Sequence, residues 1–443
     1  MRSEHGSEFT PGPREPCAAP DVKTVHFQQV MLPRPALRPW EPPMVPPAIV
    51  LYPRPPIALP GAAMSLPPRG FQQAGRQQKR RWDDQEEERP QVKRRLPGAD
   101  RQSQDEWASV SAALWAHYEV YQHTEELLKR KLELRERLHG KLRTLFPLCG
   151  LYIVGSSLTG FGSNTSDADM CLVLTKDQVD QRQQATAVLS HVARLLARTG
   201  WCVGGRPLVI HAKVPILRFC DRTTGVEVDM NVNNVVGLRN TRLLQCYARL
   251  DPRAAPLVLA AKAWAAGHQI NEAKHGTLSS YSLALMVIQY LQCGCEPAVL
   301  PSLQKMQPSK FRSDGDVRLL RLGEDLPPWR SANTQSLGAL FVGFVDYFAN
   351  RFGFSRSCAS VRLGAPISRT EVVGASGTAR SQWKYVCVEE PFDRSNTARA
   401  VYNWDTYQQI VRAFHSTLQD LQSSHSPECL LLPRVTTAAQ HVS

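Results

Sequence analysis

Apolar residues change their spacing twice along this chain, and the two changes divide it. From Asp105 to about Leu145 there is no proline and no glycine before Gly140. Leu127, Leu128, Leu132, Leu134 and Leu138 recur there at roughly helical spacing, which predicts one long amphipathic helix over 105–146. Short apolar runs replace it at 151–154 and 170–174, followed by a helical pattern from Gln181 to Thr199 that Gly200 closes. Further β-rich runs at 209–210, 213–219 and 226–232 complete a mixed α/β unit over 147–240. Beyond Thr241 the spacing is helical again, at 257–266, 279–291 and 337–352. Phe341, Phe344, Phe348 and Phe352 fall on one face of the last of these, which reads as core and not as a platform for bases.

The ends differ in composition. Seventeen of the 33 prolines lie in the first 70 residues, too few backbone donors for helix or sheet, so 1–104 is expected to be a disordered tail, and 426–443 a flexible one. Lys79-Arg80-Arg81 and Lys93-Arg94-Arg95 flank an acidic patch and read either as a bipartite nuclear-import signal or as a solvated charge run. The 443 residues, 42% hydrophobic, are enough for a sizeable core, which excludes a wholly disordered protein. A formal charge of +13 suits a polyanionic partner without telling RNA from DNA or an acidic membrane. Eleven scattered cysteines with no C-x-x-C pair argue against a zinc site and a disulfide scaffold, and favour a reducing compartment. With no apolar run of about 18 residues, no membrane partner is expected.

Chemistry concentrates in the mixed unit. Gly155-Ser156-Ser157 follows the first strand, and Asp167-Ala168-Asp169 opens the second. Glycine at such a turn lets backbone amides approach a polyphosphate and serine hydroxyls add donors, making Gly155, Ser156 and Ser157 the candidate phosphate contacts. Alternate strand residues point the same way, so Asp167 and Asp169 share a face. Carboxylates crowded like this repel unless a cation lies between them, and Mg²⁺ prefers oxygen ligands. The run 226–232 adds Asp229, flanked by apolar residues, as a third acid, whereas Glu227 reads as facing solvent. The three predict a site for two divalent ions, Mg²⁺ or Mn²⁺, poised to activate an RNA 3′ hydroxyl and stabilise departing pyrophosphate. An isolated Asp-x-Asp is more often a solvated turn; the glycine-serine turn before this one is what changes the reading.

Gly155-Ser156, Asp167-Ala-Asp169 and a strand-borne Asp229 resemble the nucleotidyltransferase superfamily that includes DNA polymerase beta. Five runs, 154–162, 229–241, 268–271, 276–282 and 389–398, occur in the order found in the non-canonical cytoplasmic poly(A) polymerases, which the chain resembles over about 105–425. The resemblance implies an α+β fold: a nucleotidyltransferase catalytic domain with a mixed sheet at 147–240, and a mostly helical central domain from 241–425 joined by helix 105–146. It implies Asp167, Asp169 and Asp229 as the catalytic, metal-holding acids and Ser156 as a triphosphate contact. Asn234, Asn240 and Thr241 would touch ribose or base, and Lys262 the triphosphate. Tyr281, with Ser280 beside it, would stack on the base, with Asp393 and Asn396 in the Pro-Phe-Asp loop. Without the resemblance Tyr281 reads as a core residue and Lys262 as a solvated one. Relatives often carry a second lysine one turn after the first, where this chain has Ala266.

The implied activity is template-independent addition of AMP from ATP to RNA 3′ ends. Uridine-adding relatives carry a histidine just before the asparagine of the Pro-Phe-Asp loop; Pro391-Phe-Asp-Arg-Ser-Asn396 has none, which favours ATP. A terminal uridylyltransferase and a catalytically idle RNA–protein adaptor are the rivals, the second disfavoured by the intact acids. No RNA-recognition motif is present, and Arg239, Arg242 and Arg249 would hold RNA only by its phosphates, so RNA-binding regulatory proteins are expected to choose the substrate. The expected location is cytoplasmic, with nuclear entry left open by the basic clusters.

Overall fold

The computed structural model describes residues 106–430, apart from 176–178, 205, 318–319, 321, 324–325, 327 and 376–379. The expected N-terminal tail with its basic clusters, Asp105 and residues 431–443 lie outside the described residues.

The single helix expected over 105–146 is two, α1 (Ala108–Tyr121) and α2 (Glu125–Leu142), and they serve different cores. The signal for the break is local. Thr124 caps α2 by accepting a hydrogen bond from the Leu127 amide at 3.2 Å, and Glu125 and Glu126 sit in the first turn, where the helix dipole favours acids. Val110 and Leu114 of α1 pack into the helical part, whereas Leu134, Leu138 and Leu142 of α2 pack under the sheet. Helix 105–146 therefore does not belong to the central domain as a unit; only its first half does.

That sheet has five strands, β1 (Gly150–Ile153), β2 (Ala168–Val173), β3 (Leu208–Ile210), β4 (Ile216–Cys220) and β5 (Glu227–Val232), in the order β1-β2-β5-β4-β3. β2 and β5 run parallel, and the other neighbours are antiparallel. The one-turn helix α3 (Ser156–Thr159) separates β1 from β2, and α4 (Thr186–Arg198) covers the same face of the sheet as α2 through Leu189, Val192 and Leu196.

Helices α5 (Val235–Leu250), α6 (Ala254–Gly267), α7 (Ser280–Cys293), α8 (Leu303–Met306), α9 (Leu337–Asp346), α10 (Arg369–Ala375) and α11 (Trp404–Ser424), with the hairpin β6 (Ser357–Ser360) and β7 (Ala365–Ser368), form the second part. Its core centres on Trp264, ringed by Phe341, Phe344 and Phe414, with the indole N–H donating to Thr417 Oγ1 at 2.9 Å. Phe348 and Phe352 are buried in the same core. α5 crosses the expected boundary at 240: Leu238 packs with Val154 and Cys171 of the sheet, and Leu243 and Tyr247 lie in the helical core. Within the expected C-terminal tail, Pro427–Leu430 forms a turn that buries Leu430 in that core.

Candidate active site

Strands β2 and β5 lie side by side with Asp169 paired to Asp229 and Met170 to Met230. Side chains alternate across a sheet, so the two aspartates face one side while Ala168, Met170, Val228 and Met230 fill the core on the other. Asp167, two residues before Asp169, shares their side. The acids disturb one another. Burial, then Asp229, then Asp167 push the Asp169 carboxyl up to about 7, and burial followed by Asp229 and Glu227 raises Asp167.

Arg218, opposite Asp229 on β4, answers part of this charge: Nε donates to Asp229 Oδ1 at 2.7 Å and Nη2 to Oδ2 at 2.6 Å. Its own guanidinium is held more firmly protonated, first by that hydrogen bonding. Among the described residues no three His, Cys, Asp or Glu side chains stand as a ready-made metal cage, and Arg218 engages both Asp229 oxygens. The oxygen-only donors and the mutual repulsion of the acids fit hard divalent cations.

Gly155 makes the turn beside these acids, at φ 69°, and a Cβ there would lie 2.5 Å from Asp169 Oδ2, so glycine is required twice over. The Gly155 amide donates to Thr241 Oγ1 at 2.9 Å, and that hydroxyl donates to Gly237 O at 2.7 Å. Ser157 is buried, accepting from Lys131 Nζ at 2.9 Å and donating to Asp167 O at 3.2 Å. Thr241 and Ser157, both expected to touch the nucleotide, are braces whose hydroxyls are already committed. Ser156, half-buried at the start of α3, is the turn hydroxyl left for a ligand.

On the helical side, Tyr281 in the first turn of α7 donates from its hydroxyl to Glu390 Oε1 at 3.2 Å. Asn240 lies beside both of these residues and lowers the pKa of both, and its Oδ1 is buried without a partner, a fit for a ligand hydroxyl or amine. Burial and then Glu390 hold the Tyr281 hydroxyl well above the usual range, and burial raises Glu390. Lys262 on α6 is half-buried, donating from Nζ to Phe161 O at 2.9 Å; burial lowers it to about 8, against the pull of Asp169. α5 thus bridges the two halves, Thr241 bonded to the glycine turn and Asn240 facing Tyr281. Asn234 caps α5 without a side-chain hydrogen bond, and exposed Ser280 donates to Asn271 Oδ1 at 3.3 Å.

Two further expectations, for Asn396 and Arg242, are corrected. Asn396 is fully buried; its amide donates to Gln382 O and Val386 O, and Oδ1 accepts from Val388 and Ala398, so it pins the Pro-Phe-Asp loop and has nothing left for a nucleotide. Asp393 is exposed, and its Oδ1 accepts from the Ser395 amide at 2.8 Å, which leaves its second oxygen open. Arg242, expected to reach RNA phosphates, is buried over Phe311 and donates to Lys310 O at 2.8 Å.

Lys131, Arg218 and Glu390 escaped the sequence reading. Lys131 had a signal: with Leu134, Leu138 and Leu142 it lies on the buried stripe of α2, where a lysine is out of place unless something pairs with it. Arg218 had none, because only strand register shows what it faces.

Residues 110–249 match the family model for the central palm domain of mitochondrial-like poly(A) RNA polymerases, and 336–396 match that for the Cid1 family of poly(A) polymerases. The chain is 42% identical to the poly(A) RNA polymerase GLD2 of Rattus norvegicus over 327 residues, 72% of this chain and 66% of that one. It is 40% identical to gld-2 homolog A of Drosophila melanogaster over 73% of this chain, but spans only 24% of that much longer protein. Among solved structures, GLD-2 in complex with RNP-8 superposes with a TM-score of 0.66 at 38% identity, covering 73% of this chain and 98% of that one. The Cid1 poly(U) polymerase superposes with a TM-score of 0.58 at 25% identity, covering 74% and 99%. Two family models matched in chain order and a GLD-2 structure covered almost end to end place this chain in the family of non-canonical poly(A) polymerases of the GLD-2 type.

Proposed function

We propose that this chain adds AMP from ATP to RNA 3′ ends without a template. The observation that carries the reading is the in-register pairing of Asp169 with Asp229, with Asp167 on the same side and the Gly155 turn packed against Asp169. Asp167, Asp169 and Asp229 would hold the divalent ions, Mg²⁺ or Mn²⁺. When bound, such ions neutralise the triphosphate and acidify the attacking hydroxyl. The chain's own contribution is positioning. Ser156 and the α3 amides meet the triphosphate, Lys262 adds a point charge to it, Tyr281 stacks on the base and Asn240 Oδ1 accepts from the ribose or base.

ATP is favoured over UTP by the absence of a histidine before Asn396. RNA-binding regulators are proposed to choose the substrate, consistent with relatives solved in complexes with RNP-8 and with GLD-3. The proposed location is the cytoplasm, with nuclear entry through 79–95 as the alternative; a tagged chain with and without those clusters tests this.

Purified protein incubated with an RNA primer and each ribonucleotide separately, with Mg²⁺ or Mn²⁺, should extend the primer with ATP far more than with UTP, and Asp169→Ala should abolish extension. Preferred use of UTP, no incorporation under any condition, or an active Asp169→Ala would each overturn the assignment.

A further inference from the structure

The most unusual side chain outside the acids is Lys131, a fully buried lysine in α2. Its ammonium donates to Ser157 Oγ at 2.9 Å, to Ser166 O at 2.6 Å and to Asp167 O at 3.2 Å, and lies 3.1 Å from His123 Nε2. A buried ammonium is costly unless its donors are used, and here every donor has an acceptor. The acceptors are not scattered. Ser157 belongs to the glycine-serine turn, and Ser166 and Asp167 to the approach to β2.

His123 belongs to the break between α1 and α2, whose backbone straps the loop joining turn to acids: His123 N donates to Gly162 O at 3.1 Å and Asn164 N to Tyr121 O at 2.9 Å. An ammonium can only donate and has three hydrogens for these four neighbours, so His123 Nε2 shares one of them as an acceptor, and burial together with the Lys131 charge keeps the ring neutral. Resting on the function proposed above, we infer that Lys131 is a positioning residue that sets the spacing between the triphosphate-binding turn and the metal-holding acids. Outer partners of this kind are worth about 10- to 100-fold in metal affinity.

The test is binding, not turnover. Mn²⁺ with a non-hydrolysable ATP analogue is titrated against the full chain, with free Mn²⁺ read by its paramagnetic resonance signal. Lys131→Met keeps the length of the chain and removes the charge. Lys131→Arg keeps the charge but offers a planar fork to acceptors grouped around one point. Both should weaken Mn²⁺–nucleotide binding about 10-fold or more, while Lys131→Arg keeps the wild-type circular dichroism spectrum at the assay temperature. Wild-type binding by a folded Lys131→Arg would overturn the inference and leave the functional proposal standing. Failure of the wild-type protein itself to bind would instead overturn the functional proposal, and the inference with it.

Discussion

Arg218 grips both carboxylate oxygens of Asp229, Nε to Oδ1 at 2.7 Å and Nη2 to Oδ2 at 2.6 Å, so any cation that Asp229 takes up must compete with a guanidinium. The arginine side chain is 47% exposed, which keeps its worth to the fold small. Arg218→Ala should therefore change stability by no more than about 1 kcal/mol, and should tighten Mn²⁺ binding to the nucleotide-free protein several-fold by freeing both oxygens and removing a like charge. Calorimetric titration with Mn²⁺ checks it; unchanged or weaker binding would mean that the pair orients Asp229 for the ion and does not compete with it.

The crowding of the acids gives a pH signature. The Asp169 carboxyl is pushed up to about 7 in the folded protein from an ordinary aspartate value of 3.8, chiefly by burial and then by Asp229 and Asp167. A carboxyl whose folded pKa is raised stabilises the fold below its unfolded pKa, and that contribution is lost as pH rises through the folded pKa. From this group, metal-free stability should fall between about pH 4 and 7, by about 4 kcal/mol as an upper bound, each tenfold step in proton affinity being about 1.4 kcal/mol. Asp169→Asn should melt higher than wild type at pH 8 without metal, match it near pH 4, and show no Mn²⁺-induced rise in Tm. A wild-type melting temperature independent of pH in that window, once Asp169→Asn is subtracted, would contradict the burial of this charge.

What could be read from the sequence was what depends on neighbours along the chain. Gly155-Ser156 after a strand and Asp167-x-Asp169 opening the next need only the alternation of a strand and the freedom of glycine. Asp229, about 60 residues away, could be named as the third acid from its apolar-flanked run, but its in-register pairing with Asp169 could not, because a parallel pairing of β2 and β5 leaves no local mark. Side-chain commitments were the least legible. Ser157, Thr241 and Asn396 are polar residues in nucleotide-binding runs, yet each has its hydrogen-bonding capacity taken up inside the protein, which no spacing rule reveals. The break at Gln122–Thr124 was legible from the Thr124 cap and its acids, but the proline-free leucine pattern on either side hides it.

Tyr281 and Glu390 separate two roles of one residue. The ring would stack on the base, while the hydroxyl serves a buried carboxylate that also accepts the Phe392 amide at 2.8 Å and the Asp393 amide. Tyr281→Ala should raise the KM for ATP by about 5- to 100-fold, from roughly 1–3 kcal/mol of stacking. Tyr281→Phe keeps the ring, so its KM should stay within a few-fold of wild type while stability drops by about 1–2 kcal/mol. Steady-state incorporation and chemical denaturation measure the two; a large KM effect in Tyr281→Phe would move the hydroxyl from the carboxylate to the nucleotide.

Asn396 tests the opposite assignment, a residue in a nucleotide-binding loop that serves only the fold. Its two amide donors and its oxygen satisfy Gln382, Val386, Val388 and Ala398 backbone groups, the last three of them buried, around the turn that carries Glu390. Removing them strands several buried groups, so Asn396→Ala should cost at least about 2 kcal/mol of stability, read as a lowered denaturation midpoint. Because the acids on β2 and β5 make no contact with it, Mn²⁺ binding by the folded fraction should be unchanged. Well below its melting temperature, its KM for ATP should also match wild type, whereas a residue that touched the nucleotide would raise KM at every temperature and leave the midpoint nearly where it was.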